Sequence, residues 1–164
     1  MLFTEIAQNL SNNNIPYFRF DYSGYGESQW DSNDFDLEKW IWDLSKAVDL
    51  LIQKWYSKIL LIWRWLGATI WLKYALTSES IWAMCLISPC DYQDKSELKW
   101  FETFALMIHW TADEVCPSSF SVDLDASLVN SELLLMEWAD NRFSHPRDFR
   151  KVVAYSLDFV FKNK

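Results

Sequence analysis

Two histidines, three cysteines and one glycine-bearing loop are the first places to look for chemistry in this chain of 164 residues. Histidine is the usual general base near neutral pH, and His109 and His145 are the two available. Neither lies beside a hydroxyl or thiol in a pattern that marks a nucleophile. Cys85, Cys90 and Cys116 lack metal-ligand spacing, and an odd count suits small core thiols in a reducing compartment better than a disulfide framework. The loop SGYGES (23–28) has the glycines of a phosphate cradle, but no G-x-x-x-x-G-K-[ST] or complete G-x-G-x-x-G follows. The stretch WRWLG (63–67) is the oddest: it joins an apolar run to a helical one and puts Trp63 and Trp65 in a corner where small residues belong.

These residues must be held by elements that the hydrophobic spacing predicts. A short helix is expected over 3–11 and an aromatic, alternating strand over 16–22. An amphipathic helix with an acidic start spans Asp36 to Lys54. Strands follow at 58–62, 81–88, 103–109 and 132–137. Helices are expected near 66–76, from Ser119 to Val129, and from Pro146 to the end, with proline at the helix start. Strands alternating with helices imply βαβ units: an α/β fold with a mainly parallel sheet of about five strands and helices on both faces. No linker or repeat divides residues 1–164, so a single domain is expected. In open sheets of this kind function gathers at the carboxyl ends of the strands.

Composition removes several classes of function. Apolar residues make up 51% and charged residues 23%, a globular balance. A net charge of −8 with no Lys/Arg stripe argues against a nucleic-acid partner. The first residues, MLFTEIAQNLSNNN, have no basic stretch leading into an apolar core, and no uninterrupted apolar run reaches the ~18 residues that mark a membrane span. A cytoplasmic protein without a membrane partner is the expectation. Tryptophan is the anomaly: the chain holds 11 Trp and 3 Gly, where ordinary usage would give roughly 11 Gly.

The loops at the strand ends, FRFDYSGYGES (18–28), WRWLG (63–67), IHWTADEVCP (108–117) and EWADNRFSHP (137–146), resemble in order and spacing those of the α/β-hydrolase family, in its serine esterase, thioesterase and peptidase-like branch. The resemblance runs over essentially the whole chain. It implies a catalytic elbow G-x-S-x-G, an acid loop similar to H-G-x-x-D-x-x-V-P and a histidine loop similar to G-A-D-H. Matched onto this sequence, the nucleophile position holds Trp65, the acid position Asp113 and the base position Asn141, with the backbone N–H of Leu66 as an oxyanion donor. Trp63, Trp110 and Trp138 stand where the family has glycine or another small residue, and Trp30 and Trp55 fall in turns that suit glycine.

The family's reaction, acyl transfer to water from a small ester, thioester or amide, needs a hydroxyl that Trp65 lacks and an imidazole that Asn141 lacks. His145, four residues on, is the substitute base to consider. The family's early strands with their oxyanion loop, and its helical cap, have no counterpart here. The resemblance implies no cofactor and no metal. An inactive hydrolase relative is the first expectation; the alternative is a non-catalytic module binding an apolar ligand or a protein partner in an open aromatic cleft. Bulky residues in tight turns also predict a poorly stable domain.

Overall fold

The computed structural model describes residues 2–26, 28, 36–90, 96, 98–140 and 145–164. Trp30 lies outside the described residues. In chain order the elements are α1 (Leu2–Asn12), α2 (Leu37–Gln53), β1 (Ile59–Arg64), α3 (Leu66–Ala75), β2 (Ile81–Ile87), a short 3-10 turn (Leu98–Trp100), β3 (Phe104–Trp110), α4 (Ser119–Asp125), β4 (Ser131–Met136) and α5 (Pro146–Asn163). The strands form one sheet in the order β1-β2-β3-β4, every neighbouring pair parallel.

The near-continuous apolar runs of β2 and β3 follow from burial on both faces. Ile81, Met84 and Leu86 of β2 join Ala105 and Met107 of β3 in one core, closed by Leu44, Val48, Ile70, Leu72 and Leu124 of α2, α3 and α4. Ala83, Cys85 and Ile87 join Leu106, Ile108 and Trp110 in the other, closed by Ile6 and Leu10 of α1 and Val152, Phe159 and Val160 of α5. Complete burial pushes the Cys85 thiol up to about 12, so it behaves as a small core residue. The register shifts between Ile59 and Leu60. Trp82, opposite this irregularity, turns outward, and the Lys58 ammonium sits 3.9 Å from its ring.

Two sequence expectations need correction. Residues 16–22 belong to no strand of the sheet, which has four strands among the described residues. Alternation and aromatic content predict an extended chain; a ladder also needs a neighbour, and among the described residues β1 pairs only with β2. The cysteines are the second correction: Cys90 and Cys116 form a disulfide across a separation of 26 residues, tying the loop after β2 to the loop after β3. The pairing was hidden because it depends on parallel neighbours that bring both loops to one sheet edge. Closing a loop of this length removes about 3.5 kcal/mol of chain entropy from the unfolded state. Reduction with a phosphine is therefore expected to lower the melting temperature; an unchanged value would show that the bridge contributes nothing.

Helix ends show why tryptophan is costly in this chain. After α1, Asn14 takes φ 55, and the N–H of Ile15 donates to the Leu10 carbonyl; asparagine tolerates this left-handed cap. After α2 the same arrangement recurs, with Trp55 N–H donating to Ile52 and Tyr56 N–H to Leu51, but the residue at φ 70 is Trp55. Its side chain is 94% exposed, so the indole gains almost no burial there.

Candidate functional site

The carboxyl ends of the strands bring Trp65, Ser88, the 111–117 loop and the 137–140 turn to one edge of the sheet. β1 ends at Arg64, and the chain turns into α3 through Trp65, which sits at φ 57, ψ −138. That conformation is nearly exclusive to glycine and is the kind of strain a site can store. Trp65 N–H donates to the Ile87 carbonyl at 2.9 Å and its own carbonyl accepts from Ala68, so the corner is locked at both ends. The Trp65 side chain makes no capping bond and is 40% exposed. Leu66 opens α3, where the first N–H groups of a helix have no partner within it. A donor there is in the position to face an anion, but the side chain beside it is an indole.

Gly67 shows how close strand and helix approach: a Cβ there would overlap the Trp63 indole. Trp63 stacks on Trp71 at 4.9 Å, and Phe3, Phe20 and Tyr22 pack around it at 5.2–5.7 Å. Tyr22 accepts a hydrogen bond from the Trp71 indole and lies flat against Trp40. Burial pushes its phenol far above the ordinary value. The aromatic residues form one connected cluster, the part of the family resemblance that has no counterpart in a glycine-rich elbow.

Asp113 lies 7% exposed in the loop after β3. Its Oδ1 accepts from the N–H groups of Val115 and Cys116, each at 2.9 Å. These bonds hold the loop that the disulfide also anchors. Arg64 occupies the space between the elbow and this loop, its guanidinium 3.8 Å from the Trp65 ring and 5.5 Å from that of Trp110. Burial lowers its pKa to about 10, and the Asp113 charge acts in the opposite sense. Arginine remains cationic at that value, so Asp113 faces a fixed cation.

His109 is fully buried at the end of β3. Its Nε2–H donates to the Cys116 carbonyl at 2.7 Å, which leaves Nδ1 to accept from the Ser121 hydroxyl at 2.6 Å; the tautomer is assigned from these partners. Asp113 Oδ2 is 3.8 Å from Nε2. Serine, histidine and aspartate are thus grouped, but inside the molecule, where no substrate reaches them. Burial lowers the His109 pKa against the opposing effects of Cys116 and Asp113. Ser121 escaped sequence reasoning, since nothing in its neighbourhood resembles a motif.

Trp138 and His145 make other contacts. Trp138 follows β4 at φ 60, 91% exposed, with its N–H donating to Thr111 Oγ1 at 3.0 Å. Asn141, the base position, lies outside the described residues. His145 is the N-cap of α5, its Nδ1 accepting from Arg147 N–H at 3.2 Å. A ring nitrogen used in this way is occupied by the helix start. Among the described residues, no group of three His, Cys, Asp or Glu is placed to hold a metal ion.

No protein-family model and no curated protein matches the chain. Solved structures do. Est1E from Butyrivibrio proteoclasticus, with ferulic acid bound, superposes with a TM-score of 0.88 at 16% identity, over 99% of this chain and 82% of that one. A monoacylglycerol lipase from Paleococcus ferrophilus gives 0.85 at 14% identity, over 98% and 88%. Alpha/beta hydrolase domain-containing protein 10 from mouse gives 0.82 at 15% identity, over 98% and 84%. The chain therefore has the α/β-hydrolase fold. Identities this low speak for the fold alone.

Proposed function

We propose that this chain is an α/β-hydrolase-fold protein without the acyl-transfer step of its structural neighbours, and that its open aromatic cleft holds a ligand instead of turning one over. The neighbour named as a monoacylglycerol lipase suggests an ester, with thioester and amide beside it, as the ancestral substrate class. The observation that carries the reading is Trp65, which has the strained backbone of an elbow residue and no atom able to attack a carbonyl. Leu66 N–H remains as a donor, and Asp113 keeps the acid position as a loop anchor. Asn141 supplies no imidazole to move a proton.

Incubation with p-nitrophenyl acetate and butyrate is expected to give release no faster than buffer, and Asp113→Ala should not alter it. Saturable hydrolysis lost in Asp113→Ala would overturn the reading.

Ligand holding is supported by a cleft of about 910 Å³ lined by Phe20, Tyr22, Trp63, Trp65 and Trp71. Such a volume is within the usual range for small-molecule sites. No helix among the described residues is long and apolar enough to cross a membrane. For the cytoplasmic location, the odd cysteine count speaks in favour and the Cys90–Cys116 bridge against.

A further inference from the structure

The Cys90–Cys116 bridge stands where the polar side chains at the strand ends are gathered. Cys116 meets two of them through its backbone: its N–H donates to Asp113 Oδ1, and its carbonyl accepts from His109 Nε2–H. Cys90 is held from the other side, its carbonyl accepting from Thr69 Oγ1 of α3 at 2.9 Å. One covalent bond therefore links the helix that opens at Trp65 to the loop that carries Asp113.

The sheet keeps its form without that bond. β2 and β3 stay in register up to Ile87 and Ile108, and the Ser88 N–H adds a bond to the Ile108 carbonyl at 2.8 Å. Both strands are buried in the cores on either face. The loop is held differently. Thr111 and Ala112 are fastened to the end of β4 by bonds to the Met136 and Ala139 carbonyls, whereas Glu114 and Val115 are exposed. Beyond them Cys116 is the anchor, with two bonded links to other elements: the bridge and the hydrogen bond from His109. The bonds from Val115 and Cys116 to Asp113 lie inside the loop. Opening the bridge removes one of two links and touches neither a ladder nor a core.

The two sulfurs also differ in access. Cys90 is half-buried, while Cys116 is 2% exposed. Exchange starts with a thiolate attacking the sulfur it can reach, and the other sulfur leaves. Cys85 is fully buried beside Ser156 and takes no part.

We propose that the bridge is a thiol–disulfide exchange site: a low-molecular-weight thiol attacks Cys90 Sγ, Cys116 leaves, and residues 114–116 are released from their place beside His109. The incoming thiolate forms an S–S bond to Cys90, the Cys90–Cys116 bond breaks with its electron pair on Cys116, and that sulfur takes up the proton. A second thiol displaces Cys90, so two thiols become one disulfide and the bridge gains two electrons and two protons. Loss of the bridge costs stability through the unfolded chain, but the folded state changes in one loop. The ligand-holding reading is not needed for this switch.

The test uses the whole folded chain in glutathione without denaturant, followed by mass spectrometry of adducts and of backbone hydrogen exchange. An adduct on Cys90 is expected, with none on Cys85 or Cys116, and Cys116→Ser should accumulate it because no internal thiol can displace it. In the fully reduced parent the amides of 114–116 should exchange at least about tenfold faster, while those of β2 and β3 stay protected. A bridge that glutathione opens only in denaturant would be a structural staple and would overturn the proposal. An adduct on Cys116 would overturn the order of attack. Unchanged loop exchange after reduction would overturn the release, and so would exchange that rises throughout β2 and β3. Should Cys116→Ser fail to fold, the parent's adduct and exchange decide alone.

Discussion

The triple variant Trp55→Gly/Trp65→Gly/Trp138→Gly is expected to melt higher than the parent by about 5–15 °C. These residues hold φ 70, 57 and 60, a region in which a side chain costs on the order of 1–3 kcal/mol. Trp55 and Trp138 are 94% and 91% exposed, so removing their indoles forfeits little burial. Glycine returns part of the gain, about 0.5–1 kcal/mol per site, through its freer unfolded chain. At Trp65 the loss of the Arg64 contact subtracts about 0.5–1 kcal/mol more. The net is roughly 1–5 kcal/mol if the distant sites add. Trp42→Gly is the control: this exposed residue lies inside α2, where glycine should cost about 1 kcal/mol. Calorimetry separates the two cases, and a triple variant that melts at or below the parent would show that the backbone angles store no strain.

The other large effect centres on His109. His109→Phe keeps a ring of similar size but leaves the Cys116 carbonyl and the Ser121 hydroxyl buried without their partner, a loss of about 2–5 kcal/mol in denaturant unfolding. The wild-type site also makes stability depend on pH. Burial lowers the histidine pKa in the folded state, so the unfolded chain binds the proton more readily. Stability from the neutral ring is then complete above the unfolded value of about 6.5 and declines as pH falls below it toward the folded pKa. Asp113 Oδ2, 3.8 Å from the ring, acts against this lowering. Urea midpoints between pH 7.5 and 5 should fall for the parent and fall less for His109→Phe; parallel slopes would assign the acid sensitivity to other groups.

Much of the fold was legible because each element carries its own period. The amphipathic spacing of α2 and the apolar runs of β2 and β3 stand in the sequence without reference to distant residues. The strand-end loops were legible as a set, since four segments in register constrain one another more than any single motif does. What escaped depends on long-range geometry. Residues 16–22 have the alternation of a strand, yet pairing is a property of neighbours. The Cys90–Cys116 bridge needs two loops on one edge, and the contact between Ser121 and His109 needs α4 packed against β3. Asp113 was singled out by its place in a pattern, whereas its bonds to Val115 and Cys116, which hold its own loop, stand in no pattern.

The left-handed tryptophans have a consequence for the gene. Glycine codons GGG and GGA each become UGG or UGA by one base change, the first read as tryptophan in every code and the second as tryptophan in some. Residues 55, 65 and 138 thus stand one base, or one reassigned codon, from the amino acid their backbone angles suit.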